Sequence, residues 1–217
     1  MDNLIRGLRY IGSNFAFIAQ LFGQHLLLTI VSLAIALLLA LPIGVLLARV
    51  KALQGPILGV LGVIYTIPSL ALFVLLIPLF GLGLKPAIIA LVAYAQLVLV
   101  RNIVVGLTGI DPAIIEAAKG MGMNSWQRFS RVEFPLALPL MLAGMRLATL
   151  SIIGIGTIAA FINAGGLGRL LFEGVSTGNR PKIVAGSLLV AVLAFGANGI
   201  LHFLERRAIL PIRGENR

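Results

Sequence analysis

Cysteine is absent from this 217-residue chain, so no disulfide framework, thiol catalysis or cysteine-based metal site can be built from it. Charge is scarce as well. Asp, Glu, Lys and Arg together make up 11% of the residues, with seven acids against seventeen lysines and arginines. A soluble domain carries about 25% charged residues, so that class is excluded. Histidine occurs twice. No Ser/His/Asp set, pair of intramembrane carboxylates or metal-ligand cluster can be picked out, which argues against a membrane protease or hydrolase. In place of charge there is hydrocarbon: 59% of the residues are hydrophobic and the mean hydropathy is +1.08. These are the values of an integral membrane protein, one domain in length. A net charge of +10 would suggest nucleic acid in a soluble protein. Here the basic residues sit mostly between and after apolar runs, where orientation in a bilayer explains them better than nucleic acid does. No cleavable signal peptide is expected, because no small-residue cleavage site follows a short apolar core after Arg6 and Arg9.

About 20 apolar residues are needed to cross roughly 30 Å of hydrocarbon. Five segments meet that length: Leu26–Leu47, Ile57–Leu79, Pro86–Leu107, Leu136–Ile162 and Ile183–Leu204. In residues 1–24, Leu4, Leu8, Ile11, Phe15 and Ile18 recur at helical spacing with Arg6, Arg9 and Asn14 between them. That pattern predicts an amphipathic interfacial helix, with a sixth span as the alternative. The expected fold is therefore an all-α polytopic bundle of about five transmembrane helices plus an N-terminal interfacial helix, with residues 1–217 as a single domain. Five spans put the termini on opposite sides. With the C-terminus inside, the inner segments hold Arg49, Lys51, Lys119, Arg128, Arg131, Arg206, Arg207, Arg213 and Arg217. The outer ones hold Arg6, Arg9, Lys85, Arg169, Arg180 and Lys182, so the positive-inside rule is followed only weakly.

One long hydrophilic stretch, residues 108–135, interrupts the apolar runs. Asp111 can cap a helix N-terminus, Pro112 suits its first position, and Gly120 and Gly122 suit its end. Asn124 and Gln127 stand in capping-box spacing and predict a second short helix. Ala117 and Ala118 leave a bare strip beside Glu116, so the first helix can enter a groove and set one carboxylate against a basic partner.

Glu116-Ala117-Ala118, three residues, Gly122, nine residues and then Val132-x-Phe134-Pro135 resembles the EAA loop of bacterial ABC-importer permeases. Val132 and Phe134 depart from the usual Ile-x-Leu-Pro ending but keep its apolar character. The resemblance implies that the loop is cytoplasmic and couples to an ATPase through Glu116, Ala117, Ala118, Gly120 and Gly122. Tyr65-Thr66-Ile67-Pro68-Ser69-Leu70-Ala71-Leu72 resembles a segment of permeases for glycine betaine, choline and carnitine, with Tyr65 where Gln is usual. Gln24-His25-Leu26, Leu79-Phe80-Gly81-Leu82-Gly83, Lys85-Pro86-Ala87, Arg101-Asn102 and Gly120-Met121-Gly122-Met123 extend it. So do Phe134-Pro135-Leu136-Ala137-Leu138-Pro139 and Ala164-Gly165-Gly166-Leu167-Gly168. Residues 24–170 are thus closer to quaternary-ammonium permeases than to the related methionine permeases.

What this implies is a permease subunit of an ATP-driven importer in the bacterial cytoplasmic membrane, with the N-terminus outside. A methionine or other amino-acid importer is the alternative. A second permease subunit, identical or homologous, two cytoplasmic ATP-binding subunits and an extracytoplasmic solute-binding protein would complete it. The chain would do no covalent chemistry and hold no cofactor, since ATP and Mg belong to the partner ATPase; membrane lipid surrounds it, and nucleic acid has no part.

Several residues inside the spans break the apolar pattern. Pro42, Gly44, Pro68, Gly154 and Gly156 weaken helices, either as sites of close packing and kinking or as hinges for rocking between inward- and outward-open forms. Pro68 frees the carbonyl of Ile64, with the hydroxyls of Thr66 and Ser69 nearby. Tyr65, Thr66, Pro68 and Ser69 are the candidate solute-path residues, with packing as the alternative. Arg101, near the inner end of its span, can snorkel. Arg146, about three turns into the fourth span, is expected to face the bundle interior or the polar loop, with Glu116, Glu133 and Asp111 as candidate partners. Residues 163–169 read as a flexible outer turn, since they lack the Lys-Ser/Thr of a phosphate-binding loop and follow no strand. His25 and His202 read as interfacial residues at span ends.

Overall fold

A bilayer core offers backbone N–H and C=O groups no partner, so apolar runs can satisfy them only as helices. A computed structural model describes residues 2–213 and, among them, shows helices and turns with no strand. Arg217 and the side chain of Arg213, both counted above as inner charges, lie outside the described residues. In chain order the helices are α1 (Asp2–Ser13), α2 (Phe15–Arg49), α3 (Lys51–Thr66), α4 (Ser69–Phe80) and α5 (Leu84–Thr108). They continue with α6 (Pro112–Gly120), α7 (Ser125–Arg128), α8 (Phe134–Ile158), α9 (Gly168–Ser176) and α10 (Arg180–Arg213). A π-helical turn, Phe129–Glu133, joins α7 to α8, and a 3₁₀ turn, Ala159–Ile162, ends α8.

One expectation needs correction. The interfacial helix is only α1, because the chain breaks at Asn14 and residues 15–24 already belong to the 35-residue α2. Twelve residues rise about 18 Å at 1.5 Å per residue, too short for a sixth crossing. The second span is broken where the sequence predicts weakening by Pro68, and the break is far sharper than a kink. It is split at Ile67–Pro68 into α3 and α4, bent by 96°.

The ends of the helices fix the number of passes. Gln24, Leu84, Ala160 and Phe172 line one cleft of about 530 Å³, so the first third of α2 and the start of α5 meet the 3₁₀ turn that ends α8. Arg49, Thr108, Pro112 and Glu133 line another of about 540 Å³, where the ends of α2 and α5 meet the start of α8. Since α3 begins beside Arg49, while Gly83 just after α4 donates its N–H to Ile162 O at 2.8 Å, the bent pair crosses the bundle as one span. With α10 this makes five passes. The end of the bundle bearing the polar loop is called the loop end below, and the opposite end the turn end. α1 lies at the turn end, against the start of α10 near Val184.

The central helix is α5, packed against α2, α3, α4 and α8. Ala87, Ala90, Leu91, Ala95 and Val100 are fully enclosed. Small residues let the backbones approach this closely. A Cβ on Gly44 would stand 2.6 Å from Ile103 Cγ2, and one on Gly144 2.5 Å from Asn102 Cβ. Packing therefore explains Gly44. It does not explain Gly154, whose added Cβ would meet nothing within 4 Å.

Candidate docking loop and intramembrane break

The polar stretch folds as its caps dictate. Asp111 Oδ1 accepts from Ala113 N at 2.8 Å, and Asn124 and Gln127 form both halves of the capping box at 2.8 and 2.9 Å. Gly122 ends the turn after α6 at φ +76°, a conformation that costs an L side chain roughly 1–2 kcal/mol. The alanines divide: Ala117 is exposed and Ala118 is buried against the protein, so the open strip is narrower than the sequence suggests. Glu116 is exposed and paired with its own Lys119, Nζ to Oε1 2.7 Å. The surface the hairpin presents also includes Ile114, Met121 and Trp126, at 41%, 69% and 72% exposure. The sequence reading missed these three. The signal was present, since Trp126 is the sole tryptophan of the chain and lies in its most polar segment.

Glu133 was expected to reach Arg146 but faces the other way. It is 4% exposed and carries two guanidinium groups: Arg128 Nε donates to Oε1 at 2.9 Å, and Arg49, the last residue of α2, donates through both terminal nitrogens. Arg146 instead meets α10, with Nε 3.1 Å from Glu205 Oε2 and Nη1 donating to Asn198 Oδ1 at 3.3 Å. Glu116 and Asp111 lie on the hairpin and take no part in that pair. His202 lies half-exposed beside the same carboxylate, Nδ1 to Oε2 3.7 Å. Arg101 is exposed on α5.

At the break in the second span, the carbonyl freed by Pro68 is not taken by a hydroxyl. Ile64 O accepts from Ile67 N at 3.2 Å, while Thr66 Oγ1 donates to Val63 O at 2.7 Å. The carbonyl of Ile67 accepts the hydroxyl of Tyr94 from α5, and Tyr65 meets the Tyr94 ring edge-on with centroids 6.0 Å apart. Tyr65, Thr66 and Pro68 are exposed and Ser69 is half-buried, which puts three of the four candidate path residues at an accessible surface.

The glycine-rich run at the turn end is buried, where an open flexible turn was expected. Ala164, Gly166, Leu167 and Gly168 are enclosed. Gly166 N donates to Gln24 Oε1 at 3.1 Å, and His25, fully buried and not interfacial, hydrogen-bonds Ile153 O through Nε2 at 3.2 Å. Beyond it, Glu173 accepts from Lys182 and Arg169, which hold its carboxyl below the usual carboxylate range. Among the described residues no group of three metal-ligating side chains occurs.

Comparison with known proteins is consistent with this arrangement. A family described as "binding-protein-dependent transport system inner membrane component" matches residues 40–210. The osmoprotectant import permease protein OsmW of Salmonella typhimurium is 41% identical over 203 residues, covering 91% of this chain and 94% of that one. The glycine betaine/carnitine/choline transport system permease protein OpuCB of Bacillus subtilis is 37% identical over 185 residues, 85% of each. Among solved structures, a chain of an inward-facing MetNI methionine ABC transporter superposes with a TM-score of 0.82 over 90% of this chain and 98% of that one. At 23% identity, that likeness speaks for the fold alone.

Proposed function

The chain belongs to the family of binding-protein-dependent transport system inner membrane components, and on that premise we propose that it passes glycine betaine, choline or carnitine across the bacterial cytoplasmic membrane. It is a multi-pass permease subunit of an ABC importer and not an enzyme; ATP is hydrolysed by a separate subunit. The observation that carries the solute class is the 37–41% identity, over 85–91% of the chain, to proteins named for osmoprotectants and for glycine betaine, carnitine and choline. Two copies of the permease, or this chain and a homologue, form the path between them. The closed packing around α5 supports this, since the side chains at the centre of one copy, Ala90, Leu91, Ala95 and Val100, are fully enclosed. Two ATP-binding subunits, which hold ATP and Mg, engage the hairpin through Glu116, Ala117, Ala118, Gly120 and Gly122. An external solute-binding protein delivers the solute to the turn end.

The deciding experiment is ATP-driven, binding-protein-dependent uptake into proteoliposomes of radiolabelled betaine, choline, carnitine and methionine. Uptake of any of the first three without methionine is expected; methionine alone would overturn the solute class. In the same assay Tyr65→Ala is expected to slow transport between about 2- and 30-fold, the equivalent of roughly 0.5–2 kcal/mol of cation–π attraction to a quaternary amine. Affinity of the binding protein for its solute stays unchanged. Because the chain has no native cysteine, single cysteines at 65, 66 and 69 can be probed without background. Failure of all three to react with a water-soluble thiol reagent in any nucleotide state would remove this segment from the path.

The orientation we propose places α1 and α9 outside and the hairpin inside, where ATP is. A reporter active only outside the membrane is expected to be active at the N-terminus and silent after Arg217. Silence at both ends would contradict five crossings.

A further inference from the structure

The hairpin makes little direct contact with the spans it would have to move. Its first helix, α6, buries only Ala118 and packs chiefly against α7 and the π-helical turn. Apart from the three residues that tie it to α5, a displacement of α6 leaves through the residues that follow it. At that exit stands Glu133, in the last position of the π-helical turn, the kind of local irregularity that recurs at functional positions. It is the most buried carboxylate among the described residues, and its two guanidinium partners come from different bodies: Arg128 from the hairpin and Arg49 from the end of the first span. Among the described residues, Arg49–Glu133 is the one ion pair that joins the polar stretch to a span outside it. The neighbouring charges, Lys51, Glu116 and Lys119, line the cleft beside this pair without reaching the carboxylate.

We propose that Glu133 is the positioning residue that makes the hairpin, the start of α8 and the end of α2 move as one body, so that a push on α6 reaches two spans at once. A guanidinium pair on a buried carboxylate holds direction as well as distance, because its hydrogen bonds fix both partners in plane. Without the carboxylate the two guanidinium groups face one another with like charge, and the link becomes a repulsion. α6 then moves without carrying α2.

This inference rests on α6 being the element that meets the ATPase, and the experiment separates the two. In proteoliposomes holding the whole importer, solute taken up and ATP hydrolysed are both measured per assembled complex. Binding-protein-dependent uptake by the unmodified complex, with loss of ATPase co-purification in a hairpin variant, tests the docking role alone. For Glu133→Gln, uptake per ATP is expected to fall about tenfold or more, the size of an ordinary coupling between sites. Arg49→Gln is expected to do the same, and the double variant to be no worse than Glu133→Gln by itself. Glu133→Asp, which keeps the charge, should recover part of the ratio. Arg49 sits at a half-exposed helix end, so its variant decides the matter even where Glu133→Gln yields little complex. An unchanged ratio of uptake to hydrolysis in Arg49→Gln, whatever the yield of complex, overturns the proposal and leaves Glu133 a packing residue.

Discussion

Gly122→Leu is expected to abolish solute uptake while the permease still inserts and folds in the membrane. At φ +76° the substitution costs roughly 1–2 kcal/mol of backbone strain, confined to an exposed turn. A Cβ there would meet nothing within 4 Å and the turn is exposed, so the side chain leaves its own chain into open space. A loss of transport larger than that strain explains must come from what docks on the turn. Two further variants separate the causes. Gly122→Asn tolerates the left-handed conformation but adds bulk, whereas Gly122→Ala adds little bulk and bears the strain. If docking space is what matters, alanine retains more uptake and more co-purified ATPase than asparagine; if conformation matters, the order reverses. Normal uptake by Gly122→Leu would remove this turn from the coupling route altogether.

A larger effect on folding is expected at the opposite end of the bundle. In Gly168→Ala the new methyl would sit 1.9 Å from the carbonyl oxygen of Thr157, well inside the 3.0 Å that real Cβ contacts respect. The atom it meets is backbone, at the end of α8, and cannot swing aside. Leu167 and Leu170 on either side are fully buried, so α9 cannot lift away without opening the second apolar cluster, built on Ile18, Leu21 and Ile153. Overpacking costs typically 1–3 kcal/mol and occasionally more, and a backbone collision of this depth belongs at the upper end. Thermal unfolding in detergent, followed by loss of the monodisperse peak, is expected to begin far below that of the parent. Gly59→Ala is the control. It lies inside α3 with nothing within 4 Å, and removing a helical glycine there is worth roughly 0.5–1 kcal/mol in the stabilising direction. If Gly168→Ala melts with the parent, the close approach at Thr157 is not a constraint on the fold.

The parts of this protein that could be read from the sequence are those decided within a few residues of the chain. A run of about 20 apolar residues is helical in a bilayer whatever its neighbours do, which is why Pro86–Leu107 and Leu136–Ile162 were placed within a few residues of their observed ends, whereas the helix of the first span starts at Phe15, well before Leu26. Asp111 and the Asn124–Gln127 pair satisfy backbone groups two or three positions away, so the hairpin was legible before any packing was known. The proline at 68 announced a break, and the EAA spacing announced the family.

What the sequence left open are relations between segments far apart in the chain. At the 96° bend, the carbonyl of Ile67 is capped by Tyr94, 27 residues further along the chain than Ile67. The sequence offered Glu116, Glu133 and Asp111 as partners for Arg146, and the register of α8 against α10 gave it Glu205 instead. Glu133 found Arg49 across 84 residues, and His25 found Ile153 across 128. Periodicity states which face of a helix is apolar but not which helix lies opposite or at what height. In a span that is apolar all round, even the face is undetermined. The sequence alone therefore decided that this chain crosses a membrane in helices and carries a polar helical hairpin at one end. Tertiary packing alone decided which charges of different helices meet, because such a pair forms only where two helices are already held at the same depth.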